Sequence, residues 1–224
     1  MGGKLGWMRV GGFGGVVFAI LVVVSVFVPS QPPASDASGQ NVLNYLNAHH
    51  GALVTSYFLG GAMATAFAAL FFGVLATLLW ERGVDRPGVT AAFGAIVITG
   101  AMATAASALV AGLMAMGVAD MSEAQARLLW VVNANGNLAV SVMGGAALGL
   151  FGLVMMRMKG AWKWAGWLGL LAALMAAANL VATWADQESG LWAVFGLATL
   201  LVFLLWSAVV GVVMVSAKDL PKAA

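Results

Sequence analysis

The chain has 224 residues, of which 62% are hydrophobic and 8% are charged, and its formal net charge is +2. Because charged residues make up about a quarter of a soluble domain, this composition excludes a soluble fold. It contains no cysteine and no block of basic residues, which excludes disulfides and thiolate metal ligands and disfavours nucleic acid as a partner.

Six apolar segments without acidic or basic residues each exceed the roughly 20 residues that a helix needs to cross a bilayer. They predict an all-α fold, a polytopic transmembrane helix bundle of six spans in a single integral membrane domain that takes up residues 1–224. We place the spans at residues 10–29, 51–80, 88–118, 128–157, 163–184 and 190–217, with one long link at residues 30–50.

The first segment follows two basic residues, Lys4 and Arg9, and is predicted to be span one. The same pattern also fits a secretory signal, with Phe13–Val28 as the apolar centre and Ser35–Ala37 as the cleavage site. Cleavage would leave five spans and an N-terminus outside the cell.

The link that follows is rich in proline and polar residues, which predicts an exposed irregular segment. From Asn41 onward the spacing becomes helical and predicts a short amphipathic helix on the outer membrane surface. Its apolar side would hold Val42, Leu43, Tyr45 and Leu46, and its polar side Asn41, Asn44 and Asn47.

Spans two and three share the hexapeptide GAMATA, at residues 61–66 and 100–105. Consecutive spans run in opposite directions, so we expect the two copies to meet near mid-membrane and to place Thr65 and Thr104 in similar surroundings. An internal duplication would produce this match, and so would chance in an alanine-rich sequence.

Small residues recur at four-residue spacing in two glycine pairs, Gly11 with Gly15 and Gly145 with Gly149, and in rows around four other glycines, which lets helix backbones approach closely in lipid. Two roles are possible for these helix faces. They pack against other helices of the same bundle, or they form contacts with a second copy of the chain or with other membrane subunits. The glycines concerned are Gly11, Gly15, Gly60, Gly61, Gly100, Gly112, Gly145 and Gly149.

Orientation follows from the basic residues, which are retained on the cytoplasmic side during insertion. If the spans alternate, one side holds Arg127 alone and the other side holds all the remaining basic residues. These are Lys4, Arg9, Arg82, Arg86, Arg157, Lys159, Lys163, Lys218 and Lys222. We therefore expect a protein of the plasma (inner) membrane with both termini in the cytoplasm.

Polar groups inside lipid cost free energy and mark candidate sites. Span four carries Asn133, Asn137 and Ser141 at four-residue steps, hence on one helix face in the outer leaflet. We predict a pocket in the outer leaflet between spans two, four and five that holds a small, mostly apolar ligand or a lipid. Its candidate ligand-binding residues are His49, His50, Tyr57, Asn133, Asn137 and Asn179.

Three simpler interpretations stand beside this one. The amides would only fix helix packing, each contributing on the order of 1 kcal/mol or less. Gly136 would break span four and leave the asparagines near water. His49 and His50, being adjacent on a helix, point about 100° apart, which disfavours a metal or haem site.

The charge-free interiors of the spans contain no lysine and no carboxylate, so a retinal Schiff base and a carboxylate proton relay lack their chemistry. Ser56 with His49 or His50 is the one pairing for hydrolysis, and two helical turns separate Ser56 from His49. We predict no catalytic residue, no metal and no cofactor, and an enzyme ranks third.

Four stretches carry a resemblance to a known group of proteins. They read NVLNYLNAHHGALVTSYFLGGAMATAFAALFFGVL, ARLLWVVNANGNLAV, GAWKWAGWLGLLAAL and LLWSAVVGV. The chain from Asn41 onward resembles the small six-helix integral membrane proteins of high-GC bacteria that are grouped as domains of unknown function. The resemblance implies the six-helix topology and transfers no site residue.

Two functions follow from the sequence. The first is a non-enzymatic protein that binds or passes a small apolar ligand or lipid through the outer-leaflet pocket. The second is an accessory or assembly subunit that packs against other membrane proteins and holds no ligand.

Overall fold

The computed structural model describes residues 2–29, 32–34, 37–83, 85–115, 117–185 and 191–217. Within these ranges the chain forms α-helices with short turns. The α-helices are α1 (Gly2–Phe27), α2 (Gly39–Ala48), α3 (His50–Tyr57), α4 (Ala64–Glu81), α5 (Arg86–Ala115), α6 (Glu123–Met155), α7 (Ala161–Ala185) and α8 (Leu191–Ser216). The predicted signal cleavage site at Ser35, parts of the link at 30–50 and the predicted start of span six at 190 lie outside the described residues.

Six helices are long and apolar enough to cross a membrane, as the sequence predicted. A π-helical segment, Phe58–Met63, joins α3 and α4 into one continuous span, His50–Glu81. Helix α6 runs unbroken from Glu123 to Met155, so Gly136 does not interrupt it. A capping box at Ser122 and Gln125 starts α6.

The six spans form a closed ring in chain order. Each packs against its neighbours in sequence, and α1 packs against α8 to close the ring, while α6 also contacts α8 across it. The contact between Gly12 and Gly211 shows that α1 begins and α8 ends at the same end of the bundle. We call this the basal end, and the end where α2 lies the apical end.

Glycines let neighbouring helices touch backbone to backbone. A Cβ atom at Gly152 would lie 2.7 Å from the carbonyl oxygen of Gly166 on α7, and one at Gly145 would lie 2.2 Å from the Ala176 Cβ. On α1, a Cβ at Gly12 would lie 2.5 Å from the Gly211 carbonyl oxygen. Packing within the bundle thus accounts for the α6 glycines predicted to make close contacts.

The glycines of α5 behave differently. A Cβ at Gly94, Gly100 or Gly112 would meet nothing within 4 Å. The most apolar stretch of α5 is also the least buried of the six spans, at 17%. Among the described residues, the close contacts expected at Gly100 and Gly112 are therefore not made.

Four aromatic side chains fill the basal half of the ring. Phe71, Phe72, Phe151 and Trp206 are each 0 or 1% exposed, and their ring centroids lie 4.8–6.2 Å apart. The Trp206 indole donates a hydrogen bond to the Ala165 carbonyl at 2.9 Å, which satisfies its polar group in an apolar interior. We call these four residues the aromatic plug.

Helix α2 covers part of the apical end of the ring. Ser38 caps its N-terminus, and Val42, Tyr45 and Leu46 are buried while Asn41, Asn44 and Asn47 are exposed, which confirms the predicted amphipathic helix. The buried side packs on residues of α3, α5 and α6, namely Leu53, Val110, Met114, Ala126 and Leu129. We refer to this assembly as the α2 cluster.

Two side chains of α6 hold the preceding link in place. The Arg127 guanidinium donates to the Ala37 carbonyl, and the Trp130 indole donates to the Ala34 carbonyl at 3.2 Å. Arg127 was predicted to be the lone basic residue on its side of the membrane, and this contact gives that charge a structural partner.

The two GAMATA copies meet as expected, with the Thr104 and Thr65 hydroxyl oxygens 3.4 Å apart. Their backbones differ, however. Gly61–Met63 belongs to the π-helical segment, whereas the second copy is α-helical throughout. The extra π-type residue lies where Ser56 donates to the Ser25 carbonyl and Gly60 faces the Ser25 side chain, so contact with α1 distinguishes the two copies.

Replacing Gly152 with alanine should destabilise the bundle, because the new methyl group collides with backbone atoms that cannot rotate away. We expect Gly152→Ala to lower the free energy of unfolding by about 1–3 kcal/mol, as overpacking does elsewhere. The matched control is Gly94→Ala, where the space is open and the loss of backbone freedom in the unfolded chain should leave stability equal or slightly higher. Thermal unfolding in detergent measures both, and equal losses would contradict the packing assignment.

Removing the Arg127 side chain should loosen the link and α2 without unfolding the spans. In Arg127→Gln, we expect hydrogen exchange at the backbone amides of residues 41–46 to accelerate, because Arg127 supplies one of the two bonds from α6 to the described part of the link. Arg157→Gln is the control, since Arg157 is largely exposed and its ion pair with Asp85 lies at the basal end. Faster exchange over the whole chain in Arg127→Gln would indicate a general loss of stability instead.

Candidate functional site

The two histidines lie at the junction of α2 and α3 and have separate partners. The His49 Nδ1 atom lies 3.0 Å from the Tyr45 carbonyl oxygen, and its ring stacks on the Tyr45 ring at 4.6 Å. The His50 Nε2 atom lies 3.0 Å from the Met114 carbonyl oxygen at the end of α5. Each ring thus ties α2 or α3 to a neighbouring backbone group, and the two do not converge on one point.

Tyr57 lies half-buried against the α2 cluster, near the buried side chain of Tyr45. Burial raises the pKa of the Tyr45 phenol, so this hydroxyl stays neutral well above physiological pH. Its packing against the α2 cluster places Tyr57, the tyrosine predicted for the pocket, in the apical roof of the ring, on the side of spans two to four.

Asn179 is buried between α6, α7 and α8. It is 4% exposed, and its Nδ2 atom donates to the Ser141 hydroxyl at 3.4 Å. A Cβ at Gly196 on α8 would lie 3.5 Å from its Oδ1 atom. This amide is enclosed by its neighbours and fits the packing interpretation.

Asn137 lies on α6 in a different environment. It is nine residues, or about two and a half turns, from both Leu128 and Ala146, which are exposed on the lipid side of the helix. Asn137 therefore points away from lipid. Around the helix axis it lies between Gly136, which faces α5, and Gly145, which faces α7. Yet Asn137 is exposed. The space that exposes it lies on this inward side of α6.

This internal space has a floor and a roof. Below Asn137, a Cβ at Gly144 would lie 3.4 Å from the Phe203 ring and 3.6 Å from the Thr99 methyl group, so three helices close together there. Above it, Trp130 and the other residues of the α2 cluster pack over the inward side of α6. We call the space on the inward side of α6 between Trp130 and Gly144 the vestibule; at 1.5 Å per residue, these two residues lie about 20 Å apart along the helix.

Asn133 lies one turn above Asn137 on the same side of α6 and is half-buried. The structure thus brings Asn133 and Asn137 together on the vestibule wall. It puts Tyr57, His49 and His50 in or above the roof and encloses Asn179 behind the wall. The side chain of Asn135, the remaining asparagine of this stretch, lies outside the described part of the chain.

The chemistry that the vestibule offers is neutral. Among the described residues, no buried side-chain nitrogen or oxygen lacks a hydrogen-bond partner, and no group of three potential metal ligands occurs. Asn133 and Asn137 each offer a neutral amide, with a donor and an acceptor, on this wall. Such amides can orient a polar head group or a carbonyl through neutral hydrogen bonds.

The sequence did not predict the floor of the vestibule or the two α6 side chains that hold the link. Thr99 and Phe203 carry no unusual pattern in their helices, and only the pairing of α5, α6 and α8 brings them together. Arg127 stood out as an isolated cation, but the partners of Arg127 and Trp130 are backbone carbonyls, which no sequence pattern identifies.

Comparison with protein-family models, with curated proteins and with solved structures finds no match to this chain. The resemblance to small six-helix membrane proteins of high-GC bacteria therefore stays a prediction.

Proposed function

We propose that the protein is a non-enzymatic membrane protein that holds a small, mostly apolar ligand or lipid in the vestibule. The observation that carries the proposal is the exposure of Asn137 on the side of α6 that faces away from lipid. A polar side chain in that position is costly in a lipid-like interior unless water or a ligand satisfies it.

The ligand class follows from the walls. Phe203 is half-buried at the floor, and the wall carries neutral amides, so charged molecules would find no counter-ion there. A molecule with a long apolar part and one hydrogen-bonding group matches this arrangement.

The aromatic plug supports binding rather than passage along the ring axis. Its four rings occupy the basal half at 0 or 1% exposure and leave no path between them for a small molecule. A ligand would therefore enter and leave at the apical end or sideways between spans. The cap formed by α2 and its link, held by Arg127, would then influence how fast it exchanges.

Cysteine labelling tests the vestibule directly, because the chain has no native cysteine. We expect Asn137→Cys to react with a small water-soluble methanethiosulfonate reagent, since the reactive thiolate forms only where water reaches. Ala146→Cys is the control, as it lies on the same helix at the lipid-facing side. Equal reactivity of the two cysteines would refute the proposal that Asn137 lines a vestibule.

A ligand should then be found by mass spectrometry of small molecules that copurify with the protein. We expect Asn137→Leu to retain several-fold less of that molecule than the natural chain does. Asn179→Leu should lower the melting temperature, because it breaks the buried contact with Ser141, but should keep the molecule bound. Retention by Asn137→Leu at the natural level would refute the role of this amide.

We further propose that the basal end is cytoplasmic in the plasma membrane, because nine of the ten basic residues belong to that side of the predicted topology. Two exposed positions, Gln40 at the apical end and Lys159 at the basal end, are suited to a test. In intact cells, a membrane-impermeant maleimide should label Gln40→Cys at once and Lys159→Cys only after permeabilisation. The reverse pattern would invert the orientation.

A second candidate, association with another membrane protein, rests on α5. Its outward side presents the exposed residues Gly94 and Gly112 with open space around each, whereas glycines of α6 and α7 are occupied by contacts within the chain. Small residues of this kind let a helix from another chain approach closely in lipid. An assembly role would be favoured if Gly94→Leu disrupted a copurifying complex while leaving the melting temperature of the isolated protein unchanged.

A further inference from the structure

A groove runs between α1 and α4 at the basal end of the bundle, far from the vestibule. Farther along the two helices, Gly11 lets α1 contact Val74 so closely that an added Cβ would lie 2.6 Å from it. Toward the basal end the contact opens, and a cavity of about 270 Å³ lies between the helices. Its floor is Gly73, where an added Cβ would meet nothing within 4 Å.

The groove changes character along its length. Trp7, Val74 and Leu78 make its walls apolar, and the Thr77 hydroxyl already donates to the Gly73 carbonyl at 2.8 Å. At its basal mouth, Lys4 and Glu81 form an ion pair with a nitrogen–oxygen distance of 2.8 Å. An apolar trough that ends in charge at a membrane boundary has the polarity of a single phospholipid molecule.

We propose that this groove binds one phospholipid with a primary-amine head group, of the phosphatidylethanolamine type, from the leaflet at the basal end. One acyl chain would lie in the trough beside Gly73 and Trp7. The lipid phosphate would accept from the Lys4 ammonium, and the lipid ammonium would donate to the Glu81 carboxylate. The proposal holds for either orientation of the protein, since the groove reaches a membrane boundary in both.

Charge complementarity selects this head group over others. A purely anionic head group would be attracted by Lys4 but repelled by Glu81. A quaternary ammonium would bring the right charge but no hydrogen-bond donor for the carboxylate. The Lys4 and Glu81 side chains are 62% and 44% exposed, so both are accessible, and an ion pair that exposed stabilises little and opens readily.

The experiment uses the full-length protein in detergent, stripped of lipid and then mixed with dioleoyl lipids that carry ethanolamine, choline or glycerol head groups. Native mass spectrometry counts the lipid bound to each protein molecule. We expect the ethanolamine lipid to bind several-fold more than the other two, and soluble phosphoethanolamine, which lacks acyl chains, not to compete. Equal binding of all three lipids, or full competition by phosphoethanolamine, would overturn the proposal.

Variants then locate the site. Gly73→Leu should fill the trough and reduce ethanolamine-lipid binding several-fold, whereas Gly94→Leu, placed in equally open space on α5, should not. Glu81→Gln should abolish the preference for ethanolamine over choline, and Lys4→Gln should weaken both. Trp7→Ala provides a second route to the trough, because Trp7 is 63% exposed and dispensable for the core. Natural levels of binding in both Gly73→Leu and Trp7→Ala would refute the site.

Discussion

Backbone contact between neighbouring helices sets the shape of this protein. Lipid is as apolar as the side chains themselves, so helices associate through close packing rather than through the hydrophobic effect. Gly152 and Gly166 join α6 to α7, and Gly12 and Gly211 join α1 to α8. These two contacts draw the spans into a ring, and the presence of an interior, filled at one end and open at the other, follows from that closure.

The filled and open halves differ in the side chains that face inward. At the basal end, Phe72, Phe151 and Trp206 span the ring with side chains large enough to meet across it. Near Asn137 the inward positions carry smaller or polar groups, and the neighbouring α5 contributes Ala106 next to Gly136. The volume of the inward-facing side chains thus determines how wide the interior is at each level. Helix α2 lies over the apical part, where these side chains are small.

Much of the fold could be predicted, because lipid imposes simple demands on a sequence. The number of spans, the amphipathic helix from Asn41 and the capping box at Ser122 all follow from hydrophobicity and local spacing. The site was harder. The four-residue spacing put Asn133, Asn137 and Ser141 on one face of α6, but it could not show that Asn179 is enclosed, because that enclosure depends on α8. Nor could it reveal that Tyr57 belongs to the roof, since that depends on where α2 folds back.

The uneven filling of the ring also has a mechanical consequence. The aromatic plug and the ion pairs of Lys4 with Glu81 and Arg157 with Asp85 all lie toward the basal end, whereas the apical half relies on α2 and its link. Regions with fewer buried contacts open at lower free energy than the rest of a protein. Unfolding under heat or a pulling force should therefore start at the apical loops and advance toward the plug. The half of α6 on the apical side of Gly144 should separate from the neighbouring helices first, and the basal half only afterwards.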